Sequence, residues 1–301
     1  MLASLIDRSR VTSALLVSLG IGIPMGLVLS GAVVSLATLR RGATDGVVVA
    51  IGGLAVFVAL TAFAGFAPGS GALTPAAFMA ASIVIAVGLR NTRSLAFAVW
   101  MAVAATLTWL LAFWLSVTSP AEYWRGLFEQ LIRSFSETGQ VEFAAQLKAL
   151  SEKIAWRGVT GQVFGTLFVL LALALFWGRS WHARLANPGG FQAEFHELEL
   201  GRLGALTAAA LFMAAAATGH ELVLSAAAIM LYVWLVPAFA LIHWQVKRRE
   251  LGSGWLWAAY LVCVFSLGGN NMIFLAFPLV GMLNEFLSFR RGPGKPGAGQ
   301  S

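Results

Sequence analysis

Two long runs without a charged residue constrain the fold of this chain more than any other feature. Residues 11–39 and residues 46–89 contain no Asp, Glu, Lys or Arg. A helix needs about 20 apolar residues to cross the ~30 Å hydrocarbon core of a bilayer, and both runs exceed that length. Charged residues make up 11% of the chain, whereas soluble domains carry about 25%. We therefore expect a polytopic helical membrane protein.

Glycine and proline interrupt the apolar blocks and predict where they fold back. The run 11–39 would reach about 43 Å as one straight helix, and residues 20–26 contain three glycines and a proline. This pattern predicts either two short helices folded as a hairpin or one kinked, tilted span. The segment 67–71 divides the second run into two spans. The last apolar block, 251–284, is broken at 268–271 and also predicts a hairpin.

Basic clusters between the apolar blocks predict the topology. They lie at 40–41, 90–93, 179–184, 247–249 and 290–295. The positive-inside rule places these clusters in the cytoplasm. The chain has a net charge of +7, and its placement in short clusters between apolar blocks indicates anionic lipid headgroups rather than nucleic acid as the partner. If the first block is a hairpin, there are ten passes with both termini inside; if it crosses once, there are nine.

The predicted fold class is an all-α transmembrane helix bundle with about 8–10 membrane segments, two of them broken or hairpin segments, plus amphipathic interfacial helices. Residues 1–291 form a single integral membrane domain, and 292–301 form a flexible basic tail. The expected location is the bacterial inner membrane.

Residues 119–156 differ from the rest because polar and apolar residues alternate at helical spacing. Apolar residues form two stripes, which are Tyr123, Leu127, Leu131 and Phe135, and then Phe143, Leu147, Leu150 and Ile154. We expect a pair of amphipathic helices outside the hydrocarbon, on the extracytoplasmic side because their net charge is weak. The pair is either a lid over an external cavity or a structural cap that shields short helices.

A polar connector at 179–202 joins the two halves of the chain and is expected in the cytoplasm. Asn187-Pro188-Gly189-Gly190 predicts a turn, and the following residues have helical amphipathic spacing. One interpretation is an interfacial helix that lies at the headgroup level and leads into the next span. The other is a docking surface for a partner protein, made of Phe191, Glu194, Phe195 and Glu197.

Sequence motifs for enzymatic chemistry are absent. The chain has no Walker loop, no GxSxG elbow and no HExxH motif. Its four histidines are scattered near predicted membrane edges, and Cys263 is the only cysteine. We therefore expect no enzyme activity, metal or cofactor. No acidic residue lies well inside a predicted span, Glu285 being near the end of the last one, which argues against an autonomous proton-coupled transporter.

A few polar residues near the membrane segments are candidates for binding a ligand. Asn270 and Asn271 lie in the break of the last block, where they form either part of a binding site or a tight external turn. Gln162 lies between Gly161 and Gly165, a small-xxx-small spacing that is typical of helix packing. His220 and Glu221 face an external cavity or are ordinary loop residues.

Three segments carry a resemblance to a known family. They are the connector 187–202, the early apolar block that ends in LRRG at 39–42, and the closing hairpin near 268–289. In these segments the chain resembles the YybS-like family of bacterial membrane proteins. That family is distantly similar to the S components of energy-coupling-factor transporters, which bind vitamins or metal ions in the membrane. The resemblance implies a transmembrane coupling protein and two ATPases as partners.

Two hypotheses for the function follow. The first is a membrane-embedded subunit that binds and takes up a small molecule without its own ATPase. The second is a membrane scaffold or assembly protein that recruits partners through the connector and the outer helices. A cavity lined by Asn270, Asn271, Gln162 or His220 would favour the first hypothesis.

Overall fold

The computed structural model is helical throughout its described part, which comprises residues 4, 6, 9–23, 25–67, 69, 71–267, 271–287 and 289–290. Thirteen helices and no strand occur in these residues. The helices are α1 (Arg10–Ile21), α2 (Leu27–Arg41), α3 (Ala43–Phe63), α4 (Leu73–Thr92), α5 (Leu95–Ser116), α6 (Pro120–Glu137), α7 (Val141–Ser151), α8 (Trp156–Ala186), α9 (Gly190–His196), α10 (Arg202–Thr218), α11 (Glu221–Arg248), α12 (Gly254–Leu267) and α13 (Asn271–Leu287).

Five of these helices, α3, α4, α5, α8 and α11, are long and apolar enough to cross a membrane. They contain between 20 and 31 residues each. The helices α1, α10, α12 and α13 are apolar but shorter. The prediction of an all-helical membrane protein is therefore confirmed.

Helix α8 lies at the centre of the bundle and packs mainly against α2 and α11, with α5 and α6 beside it. Its 31 residues correspond to a length of about 46 Å. Gly161 and Gly165 bring α8 close to α11, because a Cβ atom at Gly161 would lie 2.6 Å from the Cβ of Ala228 and one at Gly165 would overlap the ring of Tyr232. The small-xxx-small spacing therefore serves helix packing, as the sequence indicated.

The first apolar block folds back on itself as a hairpin of α1 and α2. The hydroxyl of Ser30 on α2 donates a hydrogen bond to the carbonyl of Val17 on α1, at 2.8 Å. At the base of the hairpin, Arg10 and Arg41 both contact the carboxylate of Asp45, at 2.5 Å and 2.6 Å. Because one buried carboxylate holds both arginines, the start of α1 and the end of α2 lie at the same end of the bundle. The structure thus selects the hairpin over the kinked single span.

The arms of this hairpin are shorter than the helix beside them. Helix α1 has 12 residues, α2 has 15 and α3 has 21, which corresponds to lengths of about 18, 22 and 32 Å. All three have an end near Asp45, and by length the other end of α2 lies about 10 Å short of the far end of α3. A hydrocarbon core is ~30 Å thick, so neither arm of the hairpin is long enough to cross it as a straight helix.

The outer segment forms two helices, α6 and α7, separated at Thr138-Gly139, as predicted. Gly139 has a φ of +82°, which permits the sharp reversal between them. The pair packs on the end of the bundle, where the indole N–H of Trp124 donates to the hydroxyl of Thr160 at 3.0 Å. Part of the predicted apolar stripe stays exposed, with Leu127 and Leu131 each more than 40% accessible.

We expect the contact of α8 with α11 to be sensitive to the size of residue 165. The substitution Gly165→Leu places a side chain where the ring of Tyr232 lies, and overpacking of this kind costs about 1–3 kcal/mol. Thermal unfolding of the purified protein in detergent should therefore show a Tm lower by several degrees. Gly158→Ala on the same helix is the matched control, because no atom lies within 4 Å of the added Cβ. An unchanged Tm for Gly165→Leu would contradict the packing described.

Candidate functional site

A groove lies between α1 and α3, beside the tip of the hairpin. Below the groove the two helices touch closely, because a Cβ atom at Gly53 would overlap the side chain of Val17 and one at Gly52 would lie 3.1 Å from the Cβ of Ala14. Above this contact α3 continues past the end of α1. The short hairpin therefore leaves an open space along the second half of α3.

The groove has a volume of about 430 Å³ and an almost wholly apolar lining. Its wall consists of Leu15, Ser18, Leu19, Gly22, Ile23, Val56, Phe57, Leu60, Thr61, Ala64 and Phe66. The side chains of Leu15, Leu19 and Leu60 are between 54% and 59% accessible. The groove therefore opens sideways on the outer surface of the bundle.

Ser18 is the unusual residue of this wall. It is 4% exposed, and its hydroxyl has no hydrogen-bond partner among the described residues. Hydroxyls in helices commonly bond to the carbonyl four residues earlier, as Thr61 does with the carbonyl of Phe57 at 3.1 Å. A buried hydroxyl without a partner costs about 1–3 kcal/mol. Ser18 is therefore a buried hydroxyl without a partner in the described part of the chain, and almost none of its own surface is accessible from the groove.

The ligand-binding candidates from the sequence have different surroundings in the structure. Gln162 is exposed on α8 and accepts a hydrogen bond from the hydroxyl of Tyr232. His220 is exposed, and its ring centroid lies 5.2 Å from that of Trp114. Glu221 is the first residue of α11. None of these three candidates lines the groove between α1 and α3.

The remaining candidates lie in the closing block. Helices α12 and α13 pack against each other, in agreement with the predicted hairpin. Asn271 is the first residue of α13. Asn270 lies outside the described residues.

The connector forms the short helix α9, and its aromatic residues pack on the bundle. The ring centroids of Phe191 and Phe195 lie 6.0 and 5.4 Å from that of Phe176 on α8. Phe195 also meets the ring of His243 on α11, with centroids 5.4 Å apart. Both phenylalanines are partly buried in the main hydrophobic core. Helix α9 is therefore held against α8 and α11.

The two acidic residues among the docking candidates, Glu194 in α9 and Glu197 directly after it, have different surroundings. Glu194 forms a two-pronged ion pair with Arg179 of α8, in which Nε donates to Oε2 at 3.0 Å and the second nitrogen donates to Oε1. The Arg179 side chain is 12% accessible and also contacts the Nδ1 atom of His182 at 3.2 Å. Glu197 is exposed. Of the four docking candidates, Glu197 therefore has the most accessible side chain.

The end of the connector is clamped by α13. The buried carboxylate of Glu285 accepts hydrogen bonds from the backbone N–H groups of Leu200, at 2.8 Å, and Gly201, at 3.0 Å. The carbonyl of Leu200 accepts a hydrogen bond from the indole of Trp100 on α5, at 3.1 Å. Arg290 donates to the carbonyl of Leu198 at 3.0 Å. These bonds join α5, the connector and α13 at one point.

His196 lies at the end of α9, outside the spans. Burial lowers its pKa below the ordinary value of 6.5, and the positive charges of Arg290 and Lys247 lower it further. The folded connector therefore favours the neutral form of the His196 ring. Its contribution to stability is complete above the ordinary pKa and is lost as the pH falls from there through the lower pKa of the folded state, because in that range the unfolded chain binds more protons.

In the part of the chain that the structure describes, no group of three His, Cys, Asp or Glu side chains is arranged to hold a metal ion. The walls of the groove are almost wholly apolar, as is typical of sites that bind small molecules. No family model, curated protein or solved structure matches this chain.

Sequence reasoning missed both Ser18 and the clamp at Glu285. The glycines near residues 20–26 did indicate a break beside Ser18, and that signal pointed to the correct end of α1. The groove itself depends on α3 packing against α1, which no local pattern predicts. For Glu285, the sequence showed only that the residue lies near the end of the last predicted span. Its partners at 200 and 201 are far away in the sequence, so no local pattern indicated the contact.

We expect Glu194 to stabilise the connector from within the molecule. Glu194→Lys places a positive charge beside Arg179 and should lower the Tm by several degrees. The double variant Arg179→Glu/Glu194→Arg reverses both charges and should recover part of the loss, because the pair can form again. Thermal unfolding of Glu194→Lys and of the double variant measures the loss and its recovery. Glu197→Lys is the exposed control and is expected to leave the Tm unchanged. An equal loss in the double variant would argue against the internal ion pair.

Removal of the Glu285 carboxylate should destabilise the protein more than removal of a surface carboxylate. In Glu285→Ala the N–H groups of Leu200 and Gly201 lose their acceptor, which costs about 1–3 kcal/mol for a buried group. In Glu197→Ala we expect a change within about 0.5 kcal/mol. Unfolding curves of both variants in the same detergent give the comparison, and equal Tm values would show that the clamp contributes nothing.

Proposed function

We propose that this protein is a membrane-embedded subunit that binds a small molecule and takes part in its uptake across the bacterial inner membrane. The observation that carries the proposal is the hairpin of α1 and α2, whose tip stops beside α3 and leaves a groove of about 430 Å³. Helices that end inside a membrane often border binding sites in transporters. The volume falls within the range of about 300–1,000 Å³ that is typical of small-molecule sites.

Energy for uptake would come from other proteins. The sequence contains no Walker loop and no acidic residue at the centre of a span. A transmembrane coupling protein with ATPases, as in the transporters that the sequence resembles, is consistent with both properties. The proposed partners would bind at the end that carries the basic clusters, where the exposed residues Lys247, Arg248 and Arg249 lie.

The internal contacts of the connector favour a binding subunit over a scaffold. Three of the four residues considered for partner docking, Phe191, Glu194 and Phe195, contact α8 or α11. Partner recruitment through α9 would therefore depend mainly on Glu197. The exposed apolar stripe of α6 supports the scaffold hypothesis, in which the outer helices would be the docking surface.

The proposal predicts that a small molecule stabilises the folded protein. The purified protein in lipid nanodiscs is heated in the presence of single compounds from a panel of metabolites, vitamins and membrane-soluble cofactors. A ligand at 100 times its Kd adds about 2.7 kcal/mol of stability, so a true ligand should raise the Tm by several degrees. A compound that raises the Tm of an unrelated helical membrane protein equally acts through the lipid and is discarded.

Uptake is measured separately. Once a ligand is known, cells that express the protein should accumulate more of it than cells that lack it. A panel in which no compound raises the Tm would count against the proposed function as a whole.

A further inference from the structure

We propose that the corner between α11 and α12, residues 247–258, is a binding site for an anionic phospholipid. The headgroup of the lipid lies against the basic run Lys247-Arg248-Arg249, and an acyl chain follows the outer face of α12. The inference goes beyond the proposed uptake function and does not depend on it. Partners of that function have other exposed cations at the same end of the bundle, namely Arg93 and Arg184.

The basic run differs from the other basic clusters because its charges are not used inside the molecule. In each of the other four clusters at least one cation is held internally: Arg41 by Asp45, Arg90 by the carbonyl of Thr38, Arg179 by Glu194 and Arg290 by Glu199. Lys247, Arg248 and Arg249 are exposed, and within the described part of the chain their side chains form no ion pair or hydrogen bond. With Glu250, the loop still has a net charge of +2. The run therefore has positive charge available for a partner outside the chain.

A shallow depression lies directly after the basic run. It has a volume of about 440 Å³ and is lined by Gly252, Gly254, Trp255 and Ala258. The two glycines keep it open, because no atom lies within 4 Å of a Cβ added at either of them. Arg249 precedes Gly252 by three residues, a stretch of chain that spans at most about 11 Å. The cations and the depression are therefore close enough to contact a single headgroup.

Aromatic contacts place this corner at the level of the lipid headgroups. The hydroxyl of Tyr260 on α12 lies 2.9 Å from Nε2 of His243 on α11, and His243 is about one turn, or ~6 Å, before Lys247. The indoles of Trp255 and Trp257 lie between that contact and the loop, and both are more than 60% accessible. Tryptophan side chains concentrate at the boundary between membrane and water. The cations therefore lie just on the aqueous side of this boundary.

The outer face of α12 offers a surface for an acyl chain below the depression. Trp255, Ala258, Val262 and Phe265 recur at helical spacing, and all four are exposed. From residue 255 to residue 265 the helix rises about 15 Å, which is half of a ~30 Å hydrocarbon core. One leaflet of the membrane has that depth, so the stripe matches the length of one lipid chain.

The combination of charge and apolar surface identifies the occupant. An anionic phospholipid places its phosphate beside the cations and its chain on the stripe, so both parts of the surface gain a partner. A zwitterionic lipid covers the stripe equally well, but its positive choline group cancels the attraction of its phosphate. A water-soluble acidic protein would meet the cations and leave the stripe uncovered.

Native mass spectrometry of the protein in detergent measures the affinity for single lipids. The two probes are phosphatidylglycerol and phosphatidylcholine with the same acyl chains. Each basic residue near the membrane surface contributes about fivefold to the binding of anionic lipid. We therefore expect the wild-type protein to bind phosphatidylglycerol at least about fivefold more tightly than phosphatidylcholine. Equal affinities for the two lipids would overturn the proposal.

Two double variants with the same net charge locate the site. Arg248→Gln/Arg249→Gln should weaken phosphatidylglycerol by more than about tenfold and leave phosphatidylcholine unchanged. Arg93→Gln/Arg184→Gln is the matched control, because it removes two exposed cations from other clusters at the same end. We expect this control to bind both lipids as the wild type does. An equal loss in the two variants would show a diffuse attraction to the basic end and overturn the corner as a site.

A third variant tests the depression. Ala258→Phe fills it from the exposed face of α12 and should weaken both lipids. Val264→Phe is its control, because residue 264 is exposed on the opposite side of the same helix. Wild-type affinities in folded Ala258→Phe would exclude the depression as the headgroup site. If Ala258→Phe fails to fold, the arginine variants still decide the proposal, because they change only exposed side chains.

Soluble probes test the other possible occupants. Hexaglutamate stands for an acidic protein segment and glycerol phosphate for a headgroup without chains. If hexaglutamate binds through Arg248 and Arg249 while the two lipids bind equally, the partner is a protein and the proposal is wrong. If glycerol phosphate binds as tightly as phosphatidylglycerol, the acyl stripe has no role and the proposal is also wrong. A metabolite that raises the Tm of all these variants equally leaves the proposed function standing in either case.

Discussion

Close contact between helix backbones at glycine is the interaction on which the rest of this structure depends. Lipid chains are as apolar as leucine, so helices inside a bilayer gain little from hiding apolar side chains and must gain from packing. Gly161 and Gly165 let α8 approach α11, and Gly178 lets it approach α2, where an added Cβ would lie 2.8 Å from the carbonyl oxygen of Ala32. Helix α8 thus joins the two halves of the chain, and the hydrogen bond from the Tyr232 hydroxyl to Gln162 lies beside the Gly161 and Gly165 contact.

Carboxylates at the ends of helices complete what the glycine contacts begin. Asp45 binds Arg10 and Arg41, Glu194 binds Arg179, and Glu285 accepts two backbone N–H groups of the connector. Each of these acids joins segments that a loop or a helix end would otherwise leave loose. Because the pairs are partly or fully buried, they hold position more firmly than exposed ion pairs do.

The groove follows from these two kinds of contact together. Asp45 holds the base of the hairpin, and Gly53 holds α1 against α3 next to Val17. Beyond that contact α1 ends and α3 continues, so the space beside Ser18 is a consequence of unequal helix lengths.

The sequence by itself determined the class of the protein, the segments and most of the helix breaks. Charge-free runs, glycine-rich breaks such as 67–71 and the amphipathic stripes of 119–156 are local patterns, and local patterns reflect the solvent that each segment meets. The connector helix and the packing role of Gly161 and Gly165 were also read correctly from spacing.

Only the tertiary structure decided between the hairpin and the kinked span, because that choice depends on Asp45 reaching Arg10 across the sequence. It also decided that Phe191, Phe195 and Glu194 contact the bundle, and that Ser18 lies unpaired in a groove. Each of these features is a meeting of residues from different helices. Periodicity shows which face of a helix is apolar, but the neighbour of that face is set by the packing of the whole chain.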